Sequence, residues 1–140
     1  MTIQISEMQS KDYTQAFKLW ESLPGMGLSS ADQEEPLLSF LSKNAGTCFV
    51  AQDQGKLIGT ILGGSDGRRG YIYHLAVHAD YQRHGLGDKL TQECLKALRK
   101  KGIEKCHIFV IASNREGMKF WSRIGWKLRD DIVVMSKDLK

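Results

Sequence analysis

The sequence predicts an α/β fold, and three observations carry that reading. Apolar residues recur at helical spacing in some segments and alternate in others, with no internal repeat, linker or low-complexity tract between them. Two alternating segments are separated by Asp53-Gln54-Gly55 and read as a hairpin. Further on, the apolar run Tyr71 to Val77 passes through a glycine-bearing loop into an amphipathic stretch, and a second apolar run follows it.

Taken in order, Thr2 to Ser6 is a short alternating strand. Lys11 to Ser22 carries Tyr13, Ala16, Phe17 and Trp20 at helical spacing and is stopped by Pro24-Gly25. Gly25 to Glu35 is a glycine-, serine- and acid-rich loop leading to a second helix over Pro36 to Lys43. Thr47 to Gln52 and Leu57 to Leu62 form the hairpin, Gly63 to Gly70 is read as a turn, and Tyr71 to Val77 returns as a third antiparallel strand. In Asp88 to Lys101, Leu90, Cys94, Leu95 and Leu98 make one apolar face, with Gly102 just past the end. Lys105 to Ile111 is another strand, and Ser113 with Glu116 forms a capping box for a helix over 114–124. Trp126 to Leu128 and Ile132 to Ser136 are expected as two closing strands.

A chain of 140 residues with 41% hydrophobic content and two prolines has room for one core, so one domain over 1–140 is expected. Residues 1–10 are polar with no signal-like apolar core, and no run is long enough to span a bilayer, so the expected location is cytoplasmic with no membrane partner. Cys48, Cys94 and Cys106 are odd in number, widely spaced and set in apolar patterns, which points to free buried thiols rather than a disulfide or metal set. No metal site is expected. A net charge of +4 suits an anionic cofactor and does not argue for nucleic acid.

The most informative segment is Gln82-Arg83-His84-Gly85-Leu86-Gly87, at the junction of an apolar strand and an amphipathic helix. Glycines there remove Cβ atoms, so an anion can approach the backbone, and the unpaired first N–H groups of the helix point at it. Such a site suits a pyrophosphate. A Walker loop is excluded because Gly87 is followed by Asp88-Lys89-Leu90, and a Rossmann fingerprint because position 90 is Leu.

The Gln-x-x-Gly-x-Gly segment resembles the acetyl-CoA pyrophosphate loop of the GCN5-related N-acetyltransferase (GNAT) superfamily, and Leu75 to Tyr81 resembles that family's fourth strand and following turn. Independently, Asn114-Arg115-Glu116-Gly117-Met118-Lys119-Phe120-Trp121-Ser122-Arg123-Ile124-Gly125-Trp126 is similar to the family's Asn-x-x-Ala-x-x-Phe-Tyr-x-x-x-Gly-Phe helix. The resemblance covers nearly the whole chain, most clearly 47–135. It implies the GNAT fold: a mixed central sheet flanked by helices, in which the parallel strands 71–77 and 105–111 splay apart. It also implies that the cofactor is acetyl-CoA, with coenzyme A as product.

The resemblance further implies the site. Leu75, Ala76 and Val77 would offer backbone groups to the pantetheine arm and an N–H to the carbonyl oxygen. The amides of Gln82, Arg83, His84, Gly85, Leu86, Gly87 and Asp88 would surround the pyrophosphate, with Asn114 and Trp121 on the cofactor side. Transfer to an amine requires that the amine lose its proton, because an alkyl ammonium titrates about three units above neutrality. Strict alternation places Tyr73 and His74 near the splay on opposite faces of the strand. Both are candidate catalytic residues, and His74 is the better water-relayed base by residue type. Glu21, Asp32, Glu34 and Glu35 are alternative bases or cation binders.

One departure stands out. Where many family members have a tyrosine that protonates the departing thiolate, this chain has Trp121, whose indole N–H donates a hydrogen bond but has no accessible acidity. The expected function is N-acetyl transfer from acetyl-CoA to a primary amine by direct attack in a ternary complex. Alternatives are acetylation of protein N-termini, as for ribosomal proteins, and a CoA-binding sensor without turnover. Expected partners are a small-molecule amine or peptide acceptor, with a homodimer left open.

Overall fold

The computed structural model describes residues 2–140, which form two compact units, one ending at Phe109 and the other Val110–Lys140. The first unit holds a five-stranded sheet in the order β1 (Ile3–Glu7), β2 (Phe49–Asp53), β3 (Lys56–Ser65), β4 (Gly70–Val77), β5 (Cys106–Ile108). The first three pairings are antiparallel and β4–β5 is parallel, so the sheet is mixed, as expected. Helices α1 (Tyr13–Ser22) and α2 (Glu34–Lys43) connect β1 to β2, and α3 (Leu86–Lys100) makes the crossover from β4 to β5.

Each element has a local cause. The β2–β3 hairpin turns on Gln54 and Gly55, both at positive φ (50° and 84°), the pattern of a two-residue turn whose twist suits antiparallel strands. Helix α3 buries Leu86, Leu90, Thr91, Cys94 and Leu98 on one face, while Leu95 is only half-buried. A fully buried leucine contributes about 1.5–3 kcal/mol, so this stripe anchors the helix to β2, β3 and β4. On the opposite sheet face, Trp20, Ala16 and Leu19 of α1 and Leu37 of α2 pack with Val50, Leu57, Leu62 and Ala76.

Gly63 and Gly64, expected in a turn, lie inside β3, and the turn is confined to Asp66–Arg69. The reason is packing on both faces. A Cβ at Gly63 would overlap Cys94 Sγ of α3, and one at Gly64 would come within 2.9 Å of the Phe40 ring of α2. The glycines let helices approach the strand from each side.

In the second unit, α4 (Arg115–Arg123) is the one regular element among the described residues. Its cap is Asn114, whose Oδ1 accepts from the Gly117 N–H at 2.9 Å, so the expected Ser113–Glu116 capping box is displaced by one residue. The two closing strands are absent. Residues 124–140 carry no helix or strand, and Leu128, Ile132, Val133, Val134 and Met135 are exposed. A strand forms only against a ladder partner, and neither segment pairs with another among the described residues. The strand expected over Lys105–Ile111 is likewise reduced to the three residues that pair with β4.

Candidate active site

The site begins with a fault in β4. Thr60 pairs with Ala76 and Leu62 with Tyr73, so His74 and Leu75 together oppose Ile61. This is a bulge, one extra residue that bends the strand and re-aims its side chains. His74 takes φ 46°, uncommon for a residue with a Cβ. Buried groups hold it there: Trp20 Nε1 donates to Thr60 Oγ1 at 2.9 Å, and Thr60 Oγ1 donates to the His74 carbonyl at 2.8 Å. Trp20 and Thr60 are both fully buried, where an unmade hydrogen bond costs about 1–3 kcal/mol.

The bulge overturns the expectation that Tyr73 and His74 occupy opposite faces. Both turn toward α1 and α2 and line one cavity. The Tyr73 ring meets Phe40 of α2 edge-on at 5.9 Å, and the His74 ring meets Trp20 of α1 at 4.7 Å. The alternation of a strand survives only while residues pair one to one, and the extra residue resets it.

The cavity measures about 350 Å³, and Asp32 shares its wall with His74. His74 Nε2 lies 2.6 Å from Asp32 Oδ1, with both side chains largely buried. Asp32 is itself fixed. Its Oδ2 accepts from the Ser29 N–H at 2.9 Å within a short 3₁₀ turn, and its carbonyl accepts from the Tyr13 hydroxyl at 2.8 Å. With Nε2 committed to the carboxylate, Nδ1 is the free nitrogen. Every buried polar side-chain atom among the described residues has a partner, so Nδ1, which has none, reaches the accessible surface. Glu21, Glu34 and Glu35, the other acids weighed as bases, are exposed and do not line the cavity. Burial first, and then neighbouring Tyr71 and Cys106, push the Tyr73 hydroxyl above the ordinary phenol value, so it keeps its proton through neutral pH.

Past Ile72, which pairs with Ile108, β4 has no partner on its β5 side. Tyr73 to Val77, including Leu75 and Ala76, therefore form an open edge within the sheet. Gln82 Nε2 donates to the Val77 carbonyl at 2.9 Å and ties the end of this edge to the loop, so its side chain has a structural task.

The loop then enters α3 through Arg83 (φ 66°) and Gly85 (φ 79°), two left-handed positions on either side of His84. Gly85 is the N-cap and supplies no side-chain cap, and the first backbone bond of the helix is Lys89 N–H to Gly85 O at 3.1 Å. The N–H groups of Leu86, Gly87 and Asp88, in the first turn, thus have no acceptor within the helix. A Cβ built on Gly85 meets nothing within 4 Å, so the space over the loop is open. Donors at a helix N-terminus, with open space above them, fit a pyrophosphate. The Asp88 carboxylate accepts from Gln92 Nε2 at 3.2 Å, on the first turn where the helix dipole favours an acid.

Asn114 and Trp121 belong to the second unit. Asn114 caps α4, and Trp121 packs edge-on with Phe120 at 5.1 Å and Trp126 at 5.0 Å. Two features went unseen in the sequence: the joining of His74 to Asp32, and the Trp20–Thr60 relay beneath the bulge. No spacing in the chain signals either, because each partner lies on a different element.

The family model described as acetyltransferase (GNAT) family matches residues 7–126. An acetyltransferase of Sodalis glossinidius (strain morsitans) is 26% identical over 137 residues, covering 98% of this chain and 96% of that protein. Among solved structures, the PaiA N-acetyltransferase of Thermoplasma acidophilum in complex with coenzyme A superposes with a TM-score of 0.80 at 22% identity, over 93% of this chain and 92% of that one. An aminoglycoside acetyltransferase from an uncultured soil metagenomic sample superposes with a TM-score of 0.80 at 24% identity, over 99% of this chain and 97% of the other. With the mixed sheet, the open β4 edge and the loop amides, these matches show that the chain belongs to the acetyltransferase (GNAT) family, the acetyl-CoA-dependent N-acetyltransferases.

Proposed function

We propose that this chain acts as a single N-acetyltransferase domain over 1–140, moving an acetyl group from acetyl-CoA to a primary amine by direct attack in a ternary complex. The observation that carries this reading is the 2.6 Å His74–Asp32 pair in a cavity beside the open edge of β4. Acetyl-CoA supplies an activated thioester, and the residues of this chain do the rest. The amides from Arg83 to Asp88 hold the pyrophosphate, and the edge from Leu75 to Val77 aligns the pantetheine arm. A backbone N–H of that edge meets the negative charge that builds on the carbonyl oxygen.

His74 Nδ1 takes the proton from the ammonium of the acceptor, directly or through one water, and Asp32 holds the tautomer that leaves Nδ1 free and stabilises the imidazolium. The amine nitrogen then forms its bond to the acetyl carbon as the carbon–sulfur bond breaks, and the nitrogen gives up its second proton to water. Tyr73 remains protonated and offers a hydrogen bond within the cavity. The thiolate of coenzyme A takes its proton from water, because a thiol of pKa about 8.5 costs little to protonate near neutrality.

A thiol-release assay with a panel of amines and short peptides tests the proposal. Acceptor-dependent release of coenzyme A supports it. Binding of coenzyme A with no release for any acceptor would instead make the chain a sensor. Preference for peptides with a free N-terminal alanine over all small amines would make it an N-terminal acetyltransferase.

A further inference from the structure

We infer that the acceptor is a primary amine carrying a single positive charge on a compact apolar body, such as an arylalkyl or branched alkyl amine, and not a polyamine or a polycationic aminosugar. This deepens the transfer reading of the same cavity and rests on it. The cavity holds about 350 Å³, near the lower end for small-molecule sites, and its walls are largely the side chains of Leu37, Phe40, Leu62 and Tyr73. Phe40 and Tyr73 stand edge to face at 5.9 Å, an aromatic corner suited to an apolar substituent.

Charge is scarce in the same space. Among its lining residues Asp32 is the one carboxylate, and both of its oxygens already hold partners, His74 Nε2 at 2.6 Å and the Ser29 N–H at 2.9 Å. The exposed acids on the neighbouring segments, Glu21, Glu34 and Glu35, are not part of the lining. An acceptor with one ammonium delivers that charge to His74 and Asp32. A second ammonium held inside this space would be set against leucine and phenylalanine side chains with no second carboxylate in the lining, and desolvating an unpaired cation costs several kcal/mol. The apolar body gains what the second charge would lose.

Binding and turnover measured together separate the two readings. Phenethylamine and isoamylamine are compared with spermidine and kanamycin, by calorimetry on the coenzyme A complex and by acceptor-dependent thiol release with acetyl-CoA. Both mono-amines are expected to exceed both polycations by at least about 10²-fold in kcat/KM and to bind more tightly. Ala31→Glu adds a carboxylate at an exposed position of the cavity lining without touching the core, and it should narrow the gap by raising kcat/KM for spermidine. Mono-amines that bind more tightly than the polycations but release no coenzyme A would uphold the acceptor class and overturn the transfer reading. Spermidine or kanamycin turned over better than either mono-amine would overturn the class and leave transfer standing. Mono-amines that neither bind nor react would also overturn the class, as would an Ala31→Glu variant whose preference for mono-amines does not move.

Discussion

Asp32 and His74 are separated by 42 positions in the chain, yet Oδ1 of one lies 2.6 Å from Nε2 of the other. Two distortions produce the meeting. The bulge in β4 rotates His74 toward α1 and α2, and the Ser29–Asp32 turn ahead of α2 presents the carboxylate with its other oxygen occupied. The pair then has one orientation, with Nδ1 as the nitrogen left to exchange a proton.

Removing each partner should therefore have different signatures. His74→Gln keeps hydrogen-bonding capacity but not protonation, so kcat/KM should fall about 10²–10⁴-fold and lose its rising limb with pH, with acetyl-CoA affinity unchanged. Asp32→Asn should leave the imidazole in place while losing control of its tautomer, giving a smaller fall in kcat. Tyr73→Phe should leave the limb where it is. Rate–pH profiles of the three variants check this, and a wild-type profile in His74→Gln would return the histidine to a structural role.

The loop acts through backbone groups, so the glycine at the helix entrance should matter more than the charged side chain beside it. Gly87→Val is expected to abolish acetyl-CoA binding with the fold nearly intact, whereas Arg83→Ala only weakens it. Calorimetry with circular dichroism on both variants decides the point. Unchanged affinity in Gly87→Val would remove the pyrophosphate site from the loop.

Trp121→Phe should keep most turnover, because the indole it replaces has no accessible acidity. A loss of 10²–10⁴-fold at unchanged acetyl-CoA affinity would assign it a chemical role, since that is the usual cost of removing a general acid. Steady-state kinetics with saturating acceptor give the answer.

The thiols make a prediction about pH. Burial pushes Cys48 and Cys106 from 9.0 up to about 11, and it raises Cys94 as well. A raised pKa in the folded state means that the native protein keeps protons the unfolded chain has already lost. The stabilising contribution is full below about pH 9 and is lost as the pH rises through about 11. Urea midpoints should fall across that window. Thiol alkylation at pH 8 should be slow in the native protein and fast once it is unfolded.

Much of this protein was legible in its sequence because the signals are local. The strand–glycine–helix junction at 82–87 needs only neighbouring residues to free its amides, and the amphipathic stripe of α3 is written at fixed spacing. Tertiary structure decided what depends on groups distant in the chain. Gly63 and Gly64 read as a turn until helices pack on both faces of β3, and the run Ile132–Met135 reads as a strand but has no ladder partner within its unit. The faces of Tyr73 and His74 followed strict alternation until the bulge, held by Trp20 through Thr60, inserted one residue and turned both into the same cavity. Side-chain periodicity describes an element in isolation. Register, bulges and the pairing of a carboxylate with an imidazole are settled only when separate elements meet and their polar groups must be satisfied together.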